Sequence, residues 1–582
     1  NWKEQPDAQW KETQASQFIL FQDSSGGENW NSQNHINSRG KVPVKFKGYQ
    51  CIENDKLIQS GDRASPFIYI KADKFHCSAY IKQFWQNFPK AITIKDNCIN
   101  LSLFPDLFND CFELQAGEKK THSLYFDFSE DREALAYCPF PLLPILSASY
   151  YAQTEVFLLL PGSYERTALD ELIQAGIEGD NNFFEKREII DEYGWRNFGD
   201  LFADHESLYK KDKQINISHY NNQYDPIYGF ARQFALSGDQ KYFALMSDLA
   251  QHVVDIDIYH TDDDRHEYNG GLFWHTSHYV DVATSTHRSY SQAHIEDDPH
   301  TGGGPGDEHC YATGLAVHYF MTGSEQSKQA VLTLAEWMIK VHEGNGGFFE
   351  RLLRFKQIDL PILKQVSKGN SIVKYKYPFH RGIGNYISVL LDAYSITSDS
   401  SYISKVEKII RSTIYPGDDI SSRHLEDIEA VAAPATWSYT IVLQAIIKYL
   451  MIKISMDEID SEFYYARDSL IHYTDWMLEN EYPYLEKPEV LEFPNHTWVA
   501  QDLRKAHILS IASGFNKKHK DLYLQKADYF FSYVINNLKN NKTCTFTRII
   551  VLLMQNHIDI KQMDSFQWPD DKLYSDKSNS NY

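Results

Sequence analysis

The chain has 582 residues, with 57 Lys and Arg against 79 Asp and Glu, and a formal net charge of −22. So acidic a surface argues against nucleic acid, whose binding needs phosphates neutralised, and against an anionic membrane surface. A polyanionic ligand would need a locally basic pocket, and no apolar run reaches the roughly 18 residues of a membrane span.

Two textures follow in chain order. Residues 1–165 hold short apolar or alternating runs broken by turns. "PFIYIKA" (Pro66–Ala72), "AITIKD" (Ala91–Asp96), "INLSLF" (Ile99–Phe104) and "THSLYFDF" (Thr121–Phe128) read as strands. Many short strands without interleaved helices predict an N-terminal antiparallel β-sandwich. Residues 166–190 read as a linker. From 191 to 560 the period becomes helical, as in Tyr242, Leu245, Met246, Leu249 and Val253. "LSGDQKYF", "MTGSEQSK" and "ITSDSSYI" each end one helix and cap the next. Paired helices at roughly 75–85-residue spacing predict a C-terminal (α/α) toroid of about five or six hairpins. Residues 561–582 read as a disordered or extended tail. The fold class is therefore multidomain, α and β.

The seven cysteines form no CxxC pair, which excludes a zinc ribbon and predicts buried free thiols. The chain begins "NWKEQPDAQW", without a Met or a signal peptide, and reads as a trimmed or mature product.

Polar residues gather in the loops between helix pairs. "SHYNNQYDPIYGF" carries His219, Tyr220, Asn222 and Tyr224, with Pro226 placed to start a helix. "EYNGGLFWHTSHYVDVATSTHRSYS" carries Trp274, His275, His278, Tyr279, His287, Arg288 and Tyr290. "HTGGGPGDEHCYATG" carries Glu308 and His309, "YPFHRGIGNY" carries Arg381, and "FPNHTWVAQDLRK" carries Trp498. In a toroid such loops share one face, so these groups are expected to converge.

Three chemistries compete for them. The Gly-rich run lacks the Lys-Ser/Thr of a phosphate loop. A zinc or calcium site could draw on His275 and His278 with Asp255, Asp257 and Asp262–Asp264, but HExxH and the EF-hand frame are missing, so no metal is expected as the main reading. Proton transfer fits better. β-Elimination from a uronic acid needs a base for the C5 proton, an acid for the leaving glycosidic oxygen, and cationic or amide groups for the carboxylate. His278 or His219 is the expected base and Tyr290 or Tyr279 the acid. Arg288 and Asn222 would neutralise the carboxylate, while His275 and His287 orient or share charge. Tyr220, Tyr224, Trp274, Glu308, His309, Arg381 and Trp498 are expected to bind sugar. Hydrolysis would instead need two carboxyl groups, which Glu206, Glu267, Glu308 and Glu426 could supply. A glycan-binding surface protein without activity is the other alternative.

The motifs "FGDLFADHE", "HYNNQYDPIYGF", "DIDIYHTDDD", "YNGGLFWHTSHYVDVATSTHRSYS", "GGGPGDEHCYATGL" and "FPNHTWVAQDLRK" resemble the exo-rhamnogalacturonan-lyase-like family. The resemblance implies a β-sandwich and an α/α toroid, preceded in the family by a small β-barrel domain that is expected to be absent here. It also implies a secreted or periplasmic polysaccharide lyase acting on an anionic, rhamnose- and uronate-containing glycan such as rhamnogalacturonan, ulvan or arabinogalactan side chains.

Overall fold

The structure is a computed structural model. It describes residues 1–582 except 38, 73–74, 97, 107–111, 141, 164, 209–214, 265–266, 275–303, 345–376, 424, 426–436, 492, 558–565, 567 and 570–582.

Two antiparallel sheets open the chain. The strands are β1 (Trp2–Lys3), β2 (Gln17–Gln22), β3 (Tyr49–Glu53), β4 (Lys56–Gly61), β5 (Phe67–Ala72), β6 (Phe75–Ile81), β7 (Lys90–Lys95), β8 (Cys98–Ser102) and β9 (Leu124–Asp127). One sheet runs β1-β5-β6-β9 and the other β4-β3-β2-β7-β8. Leu20 lies opposite Cys51 on one side and Ile92 on the other. These three pack with Trp2, Ile68 and Ile81 of the facing sheet, so both sheets close on one apolar core in a sandwich-like arrangement. The β3–β4 hairpin turns on Asn54 and Asp55, both left-handed, which suits a two-residue loop. The predicted strands coincide with β5, β7, β8 and β9. Cys51, Cys77 and Cys310 are buried, Cys98 is exposed, and all six described cysteines are free thiols.

Helices follow: α1 (Ala148–Gln153), α2 (Ala168–Gln174), α3 (Phe183–Ile190), α4 (Gly194–Asn197), α5 (Pro226–Ser237), α6 (Gln240–His252), α7 (Thr313–Thr322), α8 (Glu325–Glu343), α9 (Arg381–Thr397), α10 (Ser400–Arg411), α11 (Tyr439–Ser455), α12 (Ser461–Asn480), α13 (His496–Phe515), α14 (Lys520–Leu538) and α15 (Thr547–Gln555). The stretch expected as a linker is folded: α2 and α3 place Leu169, Ile173 and Phe183 in the helical core, because their apolar residues recur at helical spacing. Tyr151, Phe157 and Leu160 join the same core, although they precede the expected boundary.

The three shared turns behave as their sequences require. Gly238, Gly323 and Ser398 end α5, α7 and α9 in the left-handed conformation, and Asp239, Ser324 and Asp399 cap α6, α8 and α10. Apolar distribution then sorts the helices. α11 is buried nearly all round, whereas α10 buries one stripe of Ile403, Val406, Ile409 and Ile410. Contacts between the inner helices run in a cycle. α5 meets α7, α7 meets α9, α9 meets α11, α11 meets α13, α13 meets α15, and α15 returns to α5. α6, α8, α10, α12, α14 and α2 each pack against members of that cycle. No described helix is long and apolar enough to cross a membrane.

The sheets are tied to the helices by polar contacts. Arg63 Nη2 donates to Glu188 Oε2 at 2.7 Å, His35 Nε2 lies 2.6 Å from Asp191 Oδ2, and Thr121 donates to Asp255 through both N and Oγ1 at 2.8 Å. Gly199 sits at this junction with φ +110, and a Cβ there would stand 2.3 Å from Asp248 O and 2.8 Å from His252 Cβ. Gly199→Ala is therefore expected to lower stability by about 3 kcal/mol or more, read as a fall in the thermal midpoint; an unchanged midpoint would contradict this close approach.

Candidate functional site

Five of the six inner helices begin beside an aromatic or cationic residue, and those residues meet. Tyr224 precedes α5, Tyr311 precedes α7, Arg381 opens α9, Trp437 precedes α11, and Trp498 lies in the first turn of α13. Ring centroids are 5.9 Å apart for Tyr224–Tyr311, 6.4 Å for Tyr224–Trp437, 6.2 Å for Trp437–Trp498 and 5.2 Å for Tyr484–Trp498. The Arg381 guanidinium lies over Trp437 at 5.4 Å. α15 joins through Arg548, whose Nε donates to Gln223 Oε1 beside Tyr224 at 3.1 Å. Six helix N-termini thus converge on one end of the helical unit. Carboxylates already meet three of these ends, Asp225 at α5 and α7 and Asp204 at α15, and the guanidinium of Arg381 stands at the start of α9.

The Asn221–Asp225 segment is the tightest part of that end. Asn221, Asn222, Tyr224 and Asp225 have φ of 46, 56, 58 and 57°, all left-handed. Asn and Asp tolerate this, whereas Tyr224 costs about 1–2 kcal/mol. Strain of this kind concentrates at functional sites. Asp225 holds the segment by capping α5 through Tyr228 N (3.2 Å) and accepting from Gly314 N at 2.8 Å. Burial pushes its carboxyl up to about 6, against those two backbone donors.

Nine of the predicted site residues fall among the described residues. Asn222 is buried and donates through Nδ2 to Tyr311 O at 3.3 Å. Tyr224 accepts from Gln501 Nε2 at 3.2 Å. Trp274 stacks on His309 at 4.4 Å with planes 8° apart, and its carbonyl accepts from Asn221 Nδ2. Glu308 Oε2 accepts from Arg381 Nε at 2.8 Å and Nη2 at 2.5 Å. Trp498 donates through Nε1 to Phe493 O at 3.1 Å. Tyr220 is wholly buried behind this wall, edge-on to His205. His219 is also buried, and its Nδ1 faces Glu192 Oε1 at 3.2 Å and Asp200 Oδ2 at 3.7 Å. His275, His278, Tyr279, His287, Arg288 and Tyr290 lie outside the described residues, as do His424 and Glu426.

Sequence reasoning missed Tyr311, Trp437 and Tyr484. The available signal was an aromatic residue just ahead of an inner helix or its preceding loop. Behind the wall a cavity of about 500 Å³ is lined by Asp225, Tyr311, Asn385, Lys448 and Arg504. Arg504 is fully buried and spreads its guanidinium over three amides. Nε reaches Gln501 at 2.8 Å, Nη1 Gln444 at 2.6 Å and Nη2 Gln555 at 2.8 Å. It also lies 5.2 Å from the centre of the Tyr224 ring, so the floor and the wall share one network.

Glu192, Asp200 and His219 bring one ligand atom each to within 4.8 Å of one another, and this group could hold a metal ion. The zinc or calcium alternative for His275 and His278 falls outside the described residues. Comparison of the chain with known protein families gives no match, and comparison with curated proteins gives none.

Proposed function

We propose that the protein is a polysaccharide lyase that cleaves a uronate-containing, rhamnose-bearing glycan by β-elimination at the aromatic end of an (α/α) toroid. The cyclic contacts of the inner helices support the toroid. The observation that carries the function is the convergence of six helix N-termini with Arg381, Trp437, Tyr224 and Trp498 on one end. Flat aromatic faces suit sugar rings, and the Arg381 guanidinium at the start of α9 suits a uronate carboxylate. Arg381 Nη1 makes no hydrogen bond among the described residues and is the donor available to that carboxylate. As the C5 proton leaves, charge grows on the carboxyl group; Arg381, Arg288 and Asn222 offset it, and the C4–O bond then breaks as a tyrosine protonates the leaving oxygen. His219 Nδ1 faces two carboxylates, so His278 is the base favoured here, with Tyr290 or Tyr279 as acid. The resemblance carries the substrate class: rhamnogalacturonan, ulvan or arabinogalactan-type chains, met outside the cell or in the periplasm.

The hydrolase alternative needs one carboxyl kept protonated opposite a second carboxylate. Glu308 is held by Arg381, and Glu206 by Arg548 at 3.0 Å. Burial pushes Asp307 up, but the His342 imidazole and its neighbours hold it below the usual carboxylate range. None of the three suits a general acid, which leaves Glu267 and Glu426, the latter outside the described residues, to carry that alternative. Incubation with uronate glycans should generate ultraviolet absorbance from a 4,5-unsaturated product. Release of saturated sugars alone would replace this reading with hydrolysis, and tight glycan binding with no cleavage would replace it with a binding protein.

A further inference from the structure

Beneath the aromatic end, where the sheets meet the helices, three carboxylates and two imidazoles are packed out of solvent. Glu192, Asp200 and Asp257 are 0 % exposed, His252 is 1 % and His219 is 3 %. They come from separate places: Glu192 follows α3, Asp200 follows α4, and His219 makes an isolated antiparallel bridge with Phe202. His252 ends α6, and Asp257 closes the π-helical turn Val253–Asp257, a wide turn often found at functional positions. Three buried carboxylates beside neutral imidazoles would carry three negative charges, so burial requires a compensating cation or protons on the rings and on a carboxyl group.

Distances separate these two solutions. Two other His–carboxylate pairs in this chain are hydrogen bonds, His35–Asp191 at 2.6 Å and His519–Asp475 at 2.7 Å, and two more are close ion-pair contacts, His205–Glu206 and His557–Asp170 at 2.8 Å. The longer pairs outside the cluster, His342–Asp307 at 3.3 Å and His76–Glu130 at 3.9 Å, involve carboxylates that solvent reaches. In the buried cluster the contacts are 3.2 Å (His219 Nδ1–Glu192 Oε1), 3.7 Å (His219 Nδ1–Asp200 Oδ2), 3.4 Å (His252 Nε2–Asp257 Oδ1) and 3.8 Å (His252 Nε2–Asp200 Oδ2). Donors about 2.0–2.2 Å from one tetrahedral metal ion stand roughly 3.3–3.5 Å apart. Glu192 Oε1 and Asp200 Oδ2 are buried and make no hydrogen bond among the described residues. Their sister oxygens are engaged: Glu192 Oε2 lies 3.5 Å from Asn34 Nδ2, and Asp200 Oδ1 accepts from Leu201 N at 2.7 Å and Asn221 N at 3.2 Å. Each carboxylate is thus fixed by one oxygen and presents the other to the same point as His219 Nδ1. A cleft of about 70 Å³ between the sheets and α4, lined by His35, Phe88 and Trp195, reaches His219.

We propose that Glu192, Asp200 and His219 bind one divalent cation of the zinc class, with a water as fourth ligand and with His252 and Asp257 packed behind Asp200 as the outer layer. A nitrogen donor with two carboxylates and only three protein ligands suits zinc and not calcium, which takes six to eight oxygens. Asp200 links the cation directly to the backbone of Asn221, the first residue of the strained turn that carries Asn222 and Tyr224. The cation is therefore a positioning device for the substrate end, and its binding does not depend on which reaction is carried out there.

The test uses the whole chain and zinc itself. Purified protein stripped with a chelator and dialysed against zinc should retain about one zinc per chain, with a thermal midpoint that falls on stripping and recovers on addition. His219→Gln should lose affinity for zinc by at least 100-fold, and His252→Gln by about 10–100-fold, as outer-layer partners do. His519→Gln, which breaks the 2.7 Å imidazole–carboxylate pair with Asp475 away from the cluster, should keep the zinc. Cobalt added to the stripped wild-type chain should show the visible bands of a low-coordinate nitrogen–oxygen site, displaced by zinc; this reading needs no variant to fold. Absence of those bands, no retained zinc, or equal zinc retention in wild type and a folded His219→Gln chain would overturn the proposal. A correct metal site in a protein that produces no unsaturated sugar would leave this inference standing and remove only the lyase reading.

Discussion

Arg548→Ala is expected to destabilise the folded chain by about 3–5 kcal/mol at pH 8 and by clearly less at pH 5. Arg548 Nη2 lies 3.0 Å from Glu206 Oε1, and Glu206 is 0 % exposed. Removing the guanidinium leaves a buried carboxylate whose contacts include His205 Nε2 at 2.8 Å. In the intact chain burial, helped by the positive charge of Arg548, holds the His205 imidazole down at about 4. Its free value is about 6.5. The depressed group contributes stability that is present above pH 6.5 and lost as pH falls through 4. Without Arg548 one of the two causes that hold the imidazole down is gone, so the variant's His205 is depressed less and the variant loses less stability as pH falls below 6.5. The two trends narrow the gap between the chains in acid. Denaturant midpoints at pH 8 and pH 5 measure this, and an equal gap at both would show that His205 does not sense Arg548. The double variant Arg548→Met, Glu206→Gln should recover most of the loss, because it removes the buried negative charge together with its guanidinium.

The second large effect concerns activity. Arg381→Ala should lower kcat/KM on a uronate glycan by about 10²–10³-fold, the usual result of deleting one well-placed charge-stabilising donor. Arg381→Lys should recover only part, since a point ammonium cannot serve Glu308 through a fork and face a substrate carboxylate as well. Circular dichroism and the thermal midpoint should stay close to the parent for the lysine variant. A neutral substrate analogue, with the carboxyl reduced to an alcohol, should show little difference between parent and variant. Equal losses on both substrates would assign Arg381 to the wall of the site and not to charge recognition.

Much of this was legible in the sequence, for physical reasons. The turns at Gly238, Gly323 and Ser398 announce themselves because a left-handed residue followed by a capping side chain has few other uses. Pro226 starts α5 as its position after a polar loop requires. Tyr224, Arg381 and Trp498 could be gathered as one face because each marks the start of a helix. β2 was harder: "QFILFQ" is apolar throughout its middle, being buried between two neighbouring strands, and shows no alternation to read. The cation cluster was illegible for a different reason. Metal motifs are recognised from near neighbours, which drew attention to His275 and His278. Glu192, Asp200, His219 and His252 span sixty residues, and each stands alone in its own stretch, so only the packing of α3, α4 and α6 brings them together. Burial of Tyr220 was equally hidden, since a tyrosine inside a polar loop reads as exposed.

The cycle of inner helices has a consequence for how the chain can be made. Its last contact joins α15 to α5, and the bonds across that seam connect residues more than 300 positions apart: Arg232 Nη2 to His557 O at 2.9 Å, and Thr547 Oγ1 to Phe202 O at 2.7 Å. Closing so long a loop costs chain entropy before any contact repays it. On a ribosome the first helices would wait with their seam surfaces uncovered until residue 557 had emerged. The two sheets, built from neighbouring strands, could be complete long before. A nascent chain halted ahead of α15 should therefore be sensitive to protease in its helices while its sheets resist.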